Sequence, residues 1–324
     1  MKLSISERSW PIRGSFTISR GSKTHADTVV VEIEHEGVVG RGECVPYARY
    51  DESLQSVKAE ITAIADQIEA GMTRQQLQEI LPSAAARNAV DCAMWDLECK
   101  LKGCSIWEKI NLQPSTLETA YTISLGEPEV MEQAAKDNAF RSLLKIKLGG
   151  NGDLERLRAV RNGAPTSKII IDANEAWTPE LYRQLMPDLL MLDIAMIEQP
   201  FPAGDDAALA TLPRPIPICA DESCHDRKSL AEIVGRYDMI NIKIDKTGGL
   251  TEALLLKEEA QKLGLSVMVG CMLSSSLSMA PAFVLGQDAD IIDLDGPLLL
   301  SQDIENGFDF RGSQMVPFSS QLWG

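Results

Sequence analysis

The feature that most constrains the fold is a regular alternation of short apolar segments and helical stretches from about residue 117 onward. The alternation is typical of a parallel (β/α)8-type barrel, in which the C-terminal ends of the strands build the active site. The helix before the last segment, 277–286, is short, so we predict a modified, (β/α)7β-like barrel that is irregular there. Eight candidate strands lie at 119–124, 143–148, 168–173, 195–199, 217–222, 239–244, 266–271 and 290–294.

The N-terminal part of the chain has a different pattern, in which strands come first and helices follow. A polar loop, 19–25, is predicted between the first two strands. Strands followed by helices are typical of an α+β unit. The predicted strands cover 3–10, 27–35 and 38–44. The predicted helices cover 54–68, 73–80 and 83–102.

The chain has 324 residues, enough for a barrel and a smaller second domain. We predict an α+β capping domain over 1–115 and a barrel domain over 116–299 that carries the metal and catalytic residues. The tail, 300–324, includes the alternating residues Phe308-Asp309-Phe310, which are typical of a short strand. We predict that this tail returns to the capping domain.

The composition excludes several classes of partner. A net charge of −16 without a basic tract argues against nucleic acid and anionic membranes. No apolar run approaches the ~20 residues of a membrane span, and the N-terminus has no signal-peptide pattern. The seven cysteines are scattered and odd in number, as expected for reduced cysteines in a cytoplasmic protein. A small-molecule substrate is therefore the expected partner, and a homo-oligomer is left open.

Three carboxylates end three successive predicted strands. They are Asp172 in Ile-Ile-Ile-Asp-Ala-Asn, Glu198 in Met-Ile-Glu-Gln-Pro and Asp221 in Ile-Cys-Ala-Asp-Glu. Parallel strands bring these ends together, and an all-oxygen set of this kind suits Mg²⁺. The alternative is that each carboxylate caps the helix that follows it. Three in register on neighbouring strands favour a metal site.

Two lysines end strands that flank the carboxylates. Lys147 ends the second predicted barrel strand, and Lys243 ends the sixth. In a ring of eight strands these positions are diametrically opposite, so a substrate on the metal has one amine on each face. Lys145 shares a face with Lys147, because alternate strand residues point the same way. A solvated lysine pair on an edge strand is the alternative for Lys145 and Lys147.

This arrangement predicts a proton-transfer reaction. A carboxylate bound to Mg²⁺ has a more acidic α-proton, and the metal stabilises the resulting enediolate. One lysine removes the proton and the other returns one from the opposite side, which inverts the carbon. A basic lysine must be neutral, so we expect burial, the metal and Lys145 to lower the pKa of Lys147. A lysine base with Mg²⁺ is a known pattern of enolase-type sites.

The motifs together resemble the enolase superfamily, in its muconate-cycloisomerase-like subgroup, and within it the dipeptide epimerases. The matching motifs are Lys-Ile-Lys, Asp-Ala-Asn, Ile-Glu-Gln-Pro, Ala-Asp-Glu-Ser and Asn-Ile-Lys, in the family's order along essentially the whole chain. The resemblance implies one Mg²⁺ per subunit on Asp172, Glu198 and Asp221. It also implies that Lys147 and Lys243 are the two catalytic bases, with Lys145 and Asn174 in support.

The resemblance further implies how a dipeptide binds. Asp293 and Asp295, in Asp-Leu-Asp-Gly-Pro after the last strand, are expected to bind the free α-ammonium, with Thr122 as a further substrate contact. A charged turn closed by Gly-Pro is the alternative. The implied substrate is L-Ala-D/L-Glu from murein peptide recycling.

An acidic substrate side chain requires a cation from the capping domain. The candidates are Arg20, Lys23 and Arg49. Lys23 stands where the resemblance predicts an arginine, and lysine lacks the bidentate fork of arginine. The preference for glutamate and the choice among these three cations are therefore left open.

Two other functions use the same residues. o-Succinylbenzoate synthase and N-acylamino-acid racemase chemistry proceed through the same enolate, but Asp293 and Asp295 favour a free ammonium over an acylated nitrogen. A barrel that binds a ligand or metal without turnover is the third possibility. It does not account for an opposed lysine pair, which binding alone does not require.

Overall fold

The computed structural model describes residues 1–324 and contains three sheets. The strands are β1 (Lys2–Ile18), β2 (Gly21–His35), β3 (Val38–Cys44), β4 (Leu117–Glu118), β5 (Tyr121–Ile123), β6 (Leu143–Lys147), β7 (Lys168–Asp172), β8 (Ile194–Glu198), β9 (Ile218–Ala220), β10 (Met239–Ile242), β11 (Ser266–Gly270), β12 (Ile291–Asp293), β13 (Phe310–Arg311) and β14 (Gln314–Met315). The α-helices are α1 (Leu54–Ala63), α2 (Ala65–Glu69), α3 (Arg74–Ile80), α4 (Ala85–Lys102), α5 (Ile106–Lys109), α6 (Pro128–Asp137), α7 (Asp153–Gly163), α8 (Pro179–Met191), α9 (Leu230–Ile233), α10 (Ile244–Thr247), α11 (Leu250–Lys262), α12 (Ser276–Gly286) and α13 (Gly296–Leu299).

The barrel consists of β5 to β12, which lie side by side in chain order and are all parallel. The ring closes where Thr119 pairs with Ile292, and the amide of Ala120 donates to the Ile292 carbonyl at 2.8 Å. The predicted barrel is therefore confirmed. An apolar plug fills its interior below the polar strand ends. Its buried members are Ala120, Leu143, Ile170, Met196, Cys219, Met239, Met268 and Ile291.

The outer helices are irregular at a different place from the predicted one. After β8 the chain forms only a 3-10 turn, 207–210, and after β9 it forms a 3-10 turn and the single-turn helix α9. Helix α12, which precedes the last strand, has 11 buried residues and is regular apart from Pro281. No helix is both long and apolar enough to cross a membrane. All seven cysteines are free.

The capping sheet is a meander of β1, β2 and β3. The predicted loop over 19–25 is wrong in length, because β1 continues to Ile18 and β2 begins at Gly21. Phe16 pairs with Lys23 in this hairpin. Residues 21–25 of β2 are all exposed, so this side of the hairpin lacks the alternation of a half-buried strand.

Helix α4 joins the capping sheet to the barrel. Its inner face shares a core with the capping sheet and α1 to α3. Its polar residues reach the barrel: Arg87 donates to the carbonyls of Thr247 and Gly248 at 2.7 and 3.0 Å, and Asp91 accepts from the Thr251 hydroxyl at 2.6 Å. The helix therefore fixes the capping unit above the barrel.

The C-terminal tail contacts both units. β13 and β14 pair with β4, next to the barrel. The last residues return to α4, where the Trp323 indole donates to the Cys92 carbonyl at 3.1 Å and the Gly324 amide to Asp96 at 2.7 Å. The domain boundaries at 115/116 and 299/300 remain our sequence-based prediction.

Candidate active site

The three predicted carboxylates meet at the C-terminal end of the barrel. Asp172 ends β7, Glu198 ends β8 beside it, and Asp221 directly follows β9. All three are buried, and one oxygen of each lies within 4.8 Å of the others. The capping alternative is wrong, because Thr178 and Asp226 cap the helices that follow Asp172 and Asp221.

The two predicted bases lie at opposite ends of this carboxylate row. Lys147 Nζ is 2.6 Å from Asp172 Oδ2, and Lys243 Nζ is 2.6 Å from Asp221 Oδ2. Both lysines line one cavity of ≈ 850 Å³ between the barrel and the capping sheet, and their exposed fractions are 7% and 6%. Two amines therefore face a common space from the two sides of the row.

Lys145 occupies the centre of the row. Its Nζ lies 2.6 Å from Glu198 Oε2, 2.7 Å from Asp293 Oδ2 and 3.4 Å from Asp172 Oδ2. The lysine is 1% exposed, so the edge-strand alternative is wrong. It neutralises charge on three strands at once, β7, β8 and β12.

Burial and charge act in opposite directions on these groups. Burial by itself raises the pKa of Asp172, but Lys147 and Lys145 outweigh it and lower that pKa to about 2. Burial by itself lowers the pKa of Lys243, but Asp221 and Glu198 outweigh it and raise that pKa well above its usual value. Burial therefore does not neutralise Lys243 while its amine faces these carboxylates.

The donor set fits a hard divalent cation. It consists of three carboxylates on adjacent strands, and Mg²⁺ prefers oxygen ligands of this kind. Glu198 Oε2 is fully buried without a hydrogen bond, although Lys145 lies near it. The backbone N–H of Asn174, two residues after Asp172, donates to Asp172 Oδ1 at 2.9 Å. The side-chain Oδ1 of Asn174 is buried and has no partner.

The predicted ammonium site lies beside Lys145. Asp293 ends β12, and its Oδ1 is buried without a partner while Oδ2 contacts Lys145. Asp295 Oδ2 accepts the Thr122 amide at 2.6 Å. Burial, and then the charge of Asp293, raise the pKa of Asp295 to about 7. Asp293, Asp295 and Thr122 all line the cavity, which a role in substrate binding requires.

The three predicted cations of the capping domain have different surroundings. Arg20 donates to Glu222 Oε1 at 2.8 Å and to the Asn174 carbonyl at 3.1 Å. Arg49 forms a bidentate pair with Glu175 at 2.8 and 2.9 Å. Lys23 has no carboxylate partner and lies 5.7 Å from the centre of the Tyr47 ring. All three line the cavity, and Lys23 is the one whose charge is not already paired.

Sequence reasoning missed three buried polar residues of this site. Lys246 contacts Asp221 Oδ1 at 2.5 Å, and the Asn241 amide donates to Glu198 Oε1 at 2.7 Å. Glu222 pairs with Arg20 and leaves Oε2 buried and unpartnered. Asn241 lies on β10 two residues before Lys243, so alternation along the strand could have predicted that both side chains face the site. Nothing in the sequence distinguishes Lys246 from a surface lysine.

Two family models match the chain. Residues 1–110 match the mandelate racemase / muconate lactonizing enzyme N-terminal domain. Residues 129–296 match the enolase C-terminal domain-like model. The two matches correspond to the capping unit and the barrel, so they cover the parts of the chain that form the site.

Two relatives resemble the chain along most of its length. An L-Ala-D/L-Glu epimerase from Escherichia coli is 46% identical over 314 residues, which are 96% of this chain and 98% of that protein. An N-acetyl-D-glutamate racemase from Pseudoalteromonas is 43% identical over 300 residues, which are 91% of this chain and 95% of that protein. Epimerases and racemases are both isomerases.

Two solved structures have the same fold. An enolase family member from Agrobacterium tumefaciens, with homology to dipeptide epimerases and with bound sodium and L-Ala-L-Glu, has a TM-score of 0.98 and 51% identity, and 99% of each chain is covered. A dipeptide epimerase from Enterococcus faecalis, complexed with Mg and L-Leu-L-Tyr, has a TM-score of 0.90 and 28% identity, with 97% and 96% covered. The chain therefore belongs to the enolase superfamily, with the capping and barrel domains of its mandelate racemase and muconate lactonizing enzyme branch.

Proposed function

We propose that this protein is a Mg²⁺-dependent dipeptide epimerase that inverts the α-carbon of the C-terminal residue, with L-Ala-D/L-Glu as its substrate. The observation that carries the proposal is the position of Lys147 and Lys243 at opposite ends of one carboxylate row, both open to one cavity. Inversion by proton transfer requires a base on one face and an acid on the other. A binding protein has no need of this pair.

Asp172, Glu198 and Asp221 would hold the ion. When bound, Mg²⁺ neutralises the substrate carboxylate and so makes the α-proton more acidic. Lys147 Nζ and Lys243 Nζ then exchange roles: the amine that is neutral takes the α-proton, and the protonated amine on the other face delivers one. Lys145 remains beside Glu198 and Asp293 and keeps the buried charges balanced.

Asp293 and Asp295 select a substrate with a free α-ammonium. Asp293 lines the cavity, and its Oδ1 is buried without a partner in the protein, so this oxygen is free to accept a hydrogen bond from an ammonium. An acylated nitrogen offers fewer N–H donors and no charge, and it leaves these carboxylates unpaired. This favours dipeptide epimerisation over racemisation of an N-acylamino acid.

We propose that Lys23 binds the acidic side chain of the substrate. Arg20 and Arg49 already pair with Glu222 and Glu175, so their charge is largely balanced by the protein. Lys23 lines the same cavity from the tip of the β1–β2 hairpin without such a partner. A cation at this place favours glutamate over neutral residues, which agrees with a substrate from murein peptide turnover.

Proton exchange in D₂O tests the proposal. We expect the protein with saturating Mg²⁺ to replace the glutamate α-proton of L-Ala-D-Glu with deuterium and to form L-Ala-L-Glu, and to act more slowly on L-Ala-L-Gln. Lys243→Ala is expected to abolish inversion while leaving exchange of one epimer, because Lys147 still reaches one face. Mass spectrometry and NMR measure both products.

Three outcomes decide between the candidate functions. No exchange with any dipeptide would reject the epimerase and leave a non-catalytic binding barrel. Exchange of N-acetylglutamate at a rate above that of the dipeptide would favour the racemase. Equal loss of both exchange reactions in Lys243→Ala, with normal folding and Mg²⁺ binding, would reject the two-base assignment.

A further inference from the structure

Lys246 is a buried lysine whose ammonium group donates only to oxygens of the protein. Its Nζ contacts Asp221 Oδ1 and the Asp221 carbonyl at 2.5 Å each, and the Asn241 carbonyl at 3.3 Å. The side chain has no exposed surface. An ammonium has three N–H donors, and three oxygens receive them here.

Lys246 does not line the cavity, unlike Lys145, Lys147 and Lys243. It therefore has no path to a substrate atom and cannot act as a proton donor or acceptor in the reaction. Its contacts instead join the carbonyl and the carboxylate of one residue, Asp221. An ammonium that bonds both the backbone carbonyl and the carboxylate of the same residue restricts the side-chain torsion angles between them.

The two oxygens of Asp221 consequently have different roles. Oδ1 faces Lys246, behind the site, and Oδ2 faces Lys243 at 2.6 Å, toward the cavity. With Oδ1 occupied, Asp221 has one oxygen left for a cation. Any ion that binds Asp221 must then use the oxygen that now contacts Lys243.

We propose that Lys246 is a positioning residue that commits Oδ1 of Asp221 to the protein, so that the divalent ion and the Lys243 amine compete for Oδ2. Ion binding then displaces Lys243 from Asp221 toward the substrate. The inference rests on the proposed two-base function. Lys147 contacts Asp172 instead, so Lys246 acts on one face of the substrate only.

The charge of Lys246 gives the proposal a distinctive signature. A positive charge against a metal ligand opposes cation binding, so its removal strengthens the attraction of the site for Mg²⁺. Removal also frees Asp221 to turn both oxygens toward the ion. Loss of a positioning contact should therefore lower turnover without weakening metal binding, whereas a general structural defect lowers both.

Lys246→Met tests this, because methionine fills a similar volume without charge or N–H donors. The readouts are the α-proton exchange rates of L-Ala-D-Glu and L-Ala-L-Glu in D₂O at saturating Mg²⁺, and the Kd of Mg²⁺ by calorimetry. We expect exchange of the epimer that depends on Lys243, identified with Lys243→Ala, to fall by about tenfold or more relative to the other epimer. We expect the Kd of Mg²⁺ to fall or to stay within twofold.

Lys257→Met is the matched control. Lys257 is a half-buried lysine away from the site, and its Nζ bonds only the carbonyls of Leu285 and Gln287. It should lower the unfolding temperature and leave the ratio of the two exchange rates unchanged. If Lys246→Met does not fold, Lys246→Gln, which keeps an N–H donor for Asp221, is expected to show the same asymmetry in weaker form.

The proposal would be overturned if the ratio of the two epimers' exchange rates stayed within twofold of the parent protein in both Lys246 variants. A tenfold rise in the Kd of Mg²⁺ would also overturn it. Absence of exchange in the parent protein would instead reject the proposed function. The calorimetric result does not depend on turnover, so it then still decides whether Lys246 opposes or supports ion binding. The two failures are therefore distinguishable.

Discussion

Asp295 is the residue through which pH should control substrate binding. Its pKa is raised to about 7, mainly by burial, so its carboxyl group is largely protonated at pH 6. Ionisation above that pKa creates the charge that holds the substrate ammonium in the proposed function. We expect the KM for L-Ala-L-Glu to fall by roughly eightfold between about pH 6 and pH 7.5, as the ionised fraction rises. Steady-state kinetics over this range, at saturating Mg²⁺, measure the effect.

Asp295→Asn supplies the control for this dependence. The amide oxygen still accepts the Thr122 amide, which lies 2.6 Å from Asp295 Oδ2, but it does not ionise. The KM of this variant should be higher and independent of pH in the same range. Above about pH 8 the substrate ammonium itself loses its proton, so the comparison stops below that value. A parent protein whose KM does not change between pH 6 and 7.5 would contradict the assignment.

The residues that the sequence reveals are those that interrupt an apolar strand. Asp172, Glu198 and Lys147 each end a run of β-branched or aliphatic residues, and the parallel barrel brings such ends together. Lys246 gives no such signal, because it lies in the single-turn helix α10 among other charged residues. Its burial depends on how β9 and β10 meet, which a linear pattern does not contain.

Gly40 and Gly42 permit strand β3 and helix α4 to pack closely, and the approach is tightest at Gly42. A Cβ at this position would overlap the Ala89 carbonyl oxygen and lie 2.8 Å from the Ala93 nitrogen. Both are helix backbone atoms, which have little freedom to move. We expect Gly42→Ala to destabilise the protein by about 2 kcal/mol or more, as overpacking does, and urea unfolding measures this.

Gly126→Ala is the matched control for Gly42→Ala. Its added Cβ would meet Met131 at 3.8 Å, an ordinary van der Waals contact. Its effect on the free energy of unfolding should therefore stay within about 0.5 kcal/mol. Equal stability of the two variants would show that β3 and α4 separate at little cost.

Secondary structure was predictable where burial produces an apolar segment. The eight barrel strands are mostly buried, and an apolar segment predicts each of them. The polar residues of 19–25 have no alternation and therefore predict a loop, although pairing with β1 holds most of this segment in a strand. The reduced helices after β8 and β9 were also missed, since the spacing of strands alone does not show what connects them.

Arg20 connects the capping hairpin to two loops of the barrel. It bonds Glu222 at 2.8 Å and Glu175 at 3.1 Å, and the Tyr47 hydroxyl at 3.1 Å. We expect Arg20→Met to speed hydrogen exchange in the tip of the hairpin, 16–25, because it removes these anchors. It should also raise the KM for the dipeptide by about tenfold, because the hairpin that carries Lys23 loses charged hydrogen bonds worth about 1.5–3 kcal/mol each.

Lys58→Met tests whether any lost ion pair of the capping domain has this effect. Lys58 pairs with Glu7 at 2.7 Å, and both side chains are about two-fifths exposed, at 41% and 43%. Exposed pairs contribute about 1 kcal/mol or less. Hydrogen exchange of the hairpin and the KM should remain unchanged. An unchanged hairpin in Arg20→Met would show that strand pairing alone holds it over the cavity.

The contacts between the capping unit and the barrel could not be predicted from the sequence. Arg20 and Glu222 are 202 residues apart, and neither belongs to a pattern that points to the other. The sequence therefore predicted three cations near the substrate without ranking them. The structure distinguishes them because two of the three are already paired with carboxylates, which leaves Lys23.

The hairpin carries Lys23 on a segment that supplies neither of the two proposed bases, Lys147 and Lys243. New side-chain preferences can then arise by exchanging a few exposed residues in 16–25, while the buried lysines and carboxylates stay as they are. Descendants of such a protein would diverge in substrate specificity before they diverge in reaction chemistry. Libraries that randomise only the hairpin tip, 16–25, should yield variants with altered substrate preference that still invert the α-carbon.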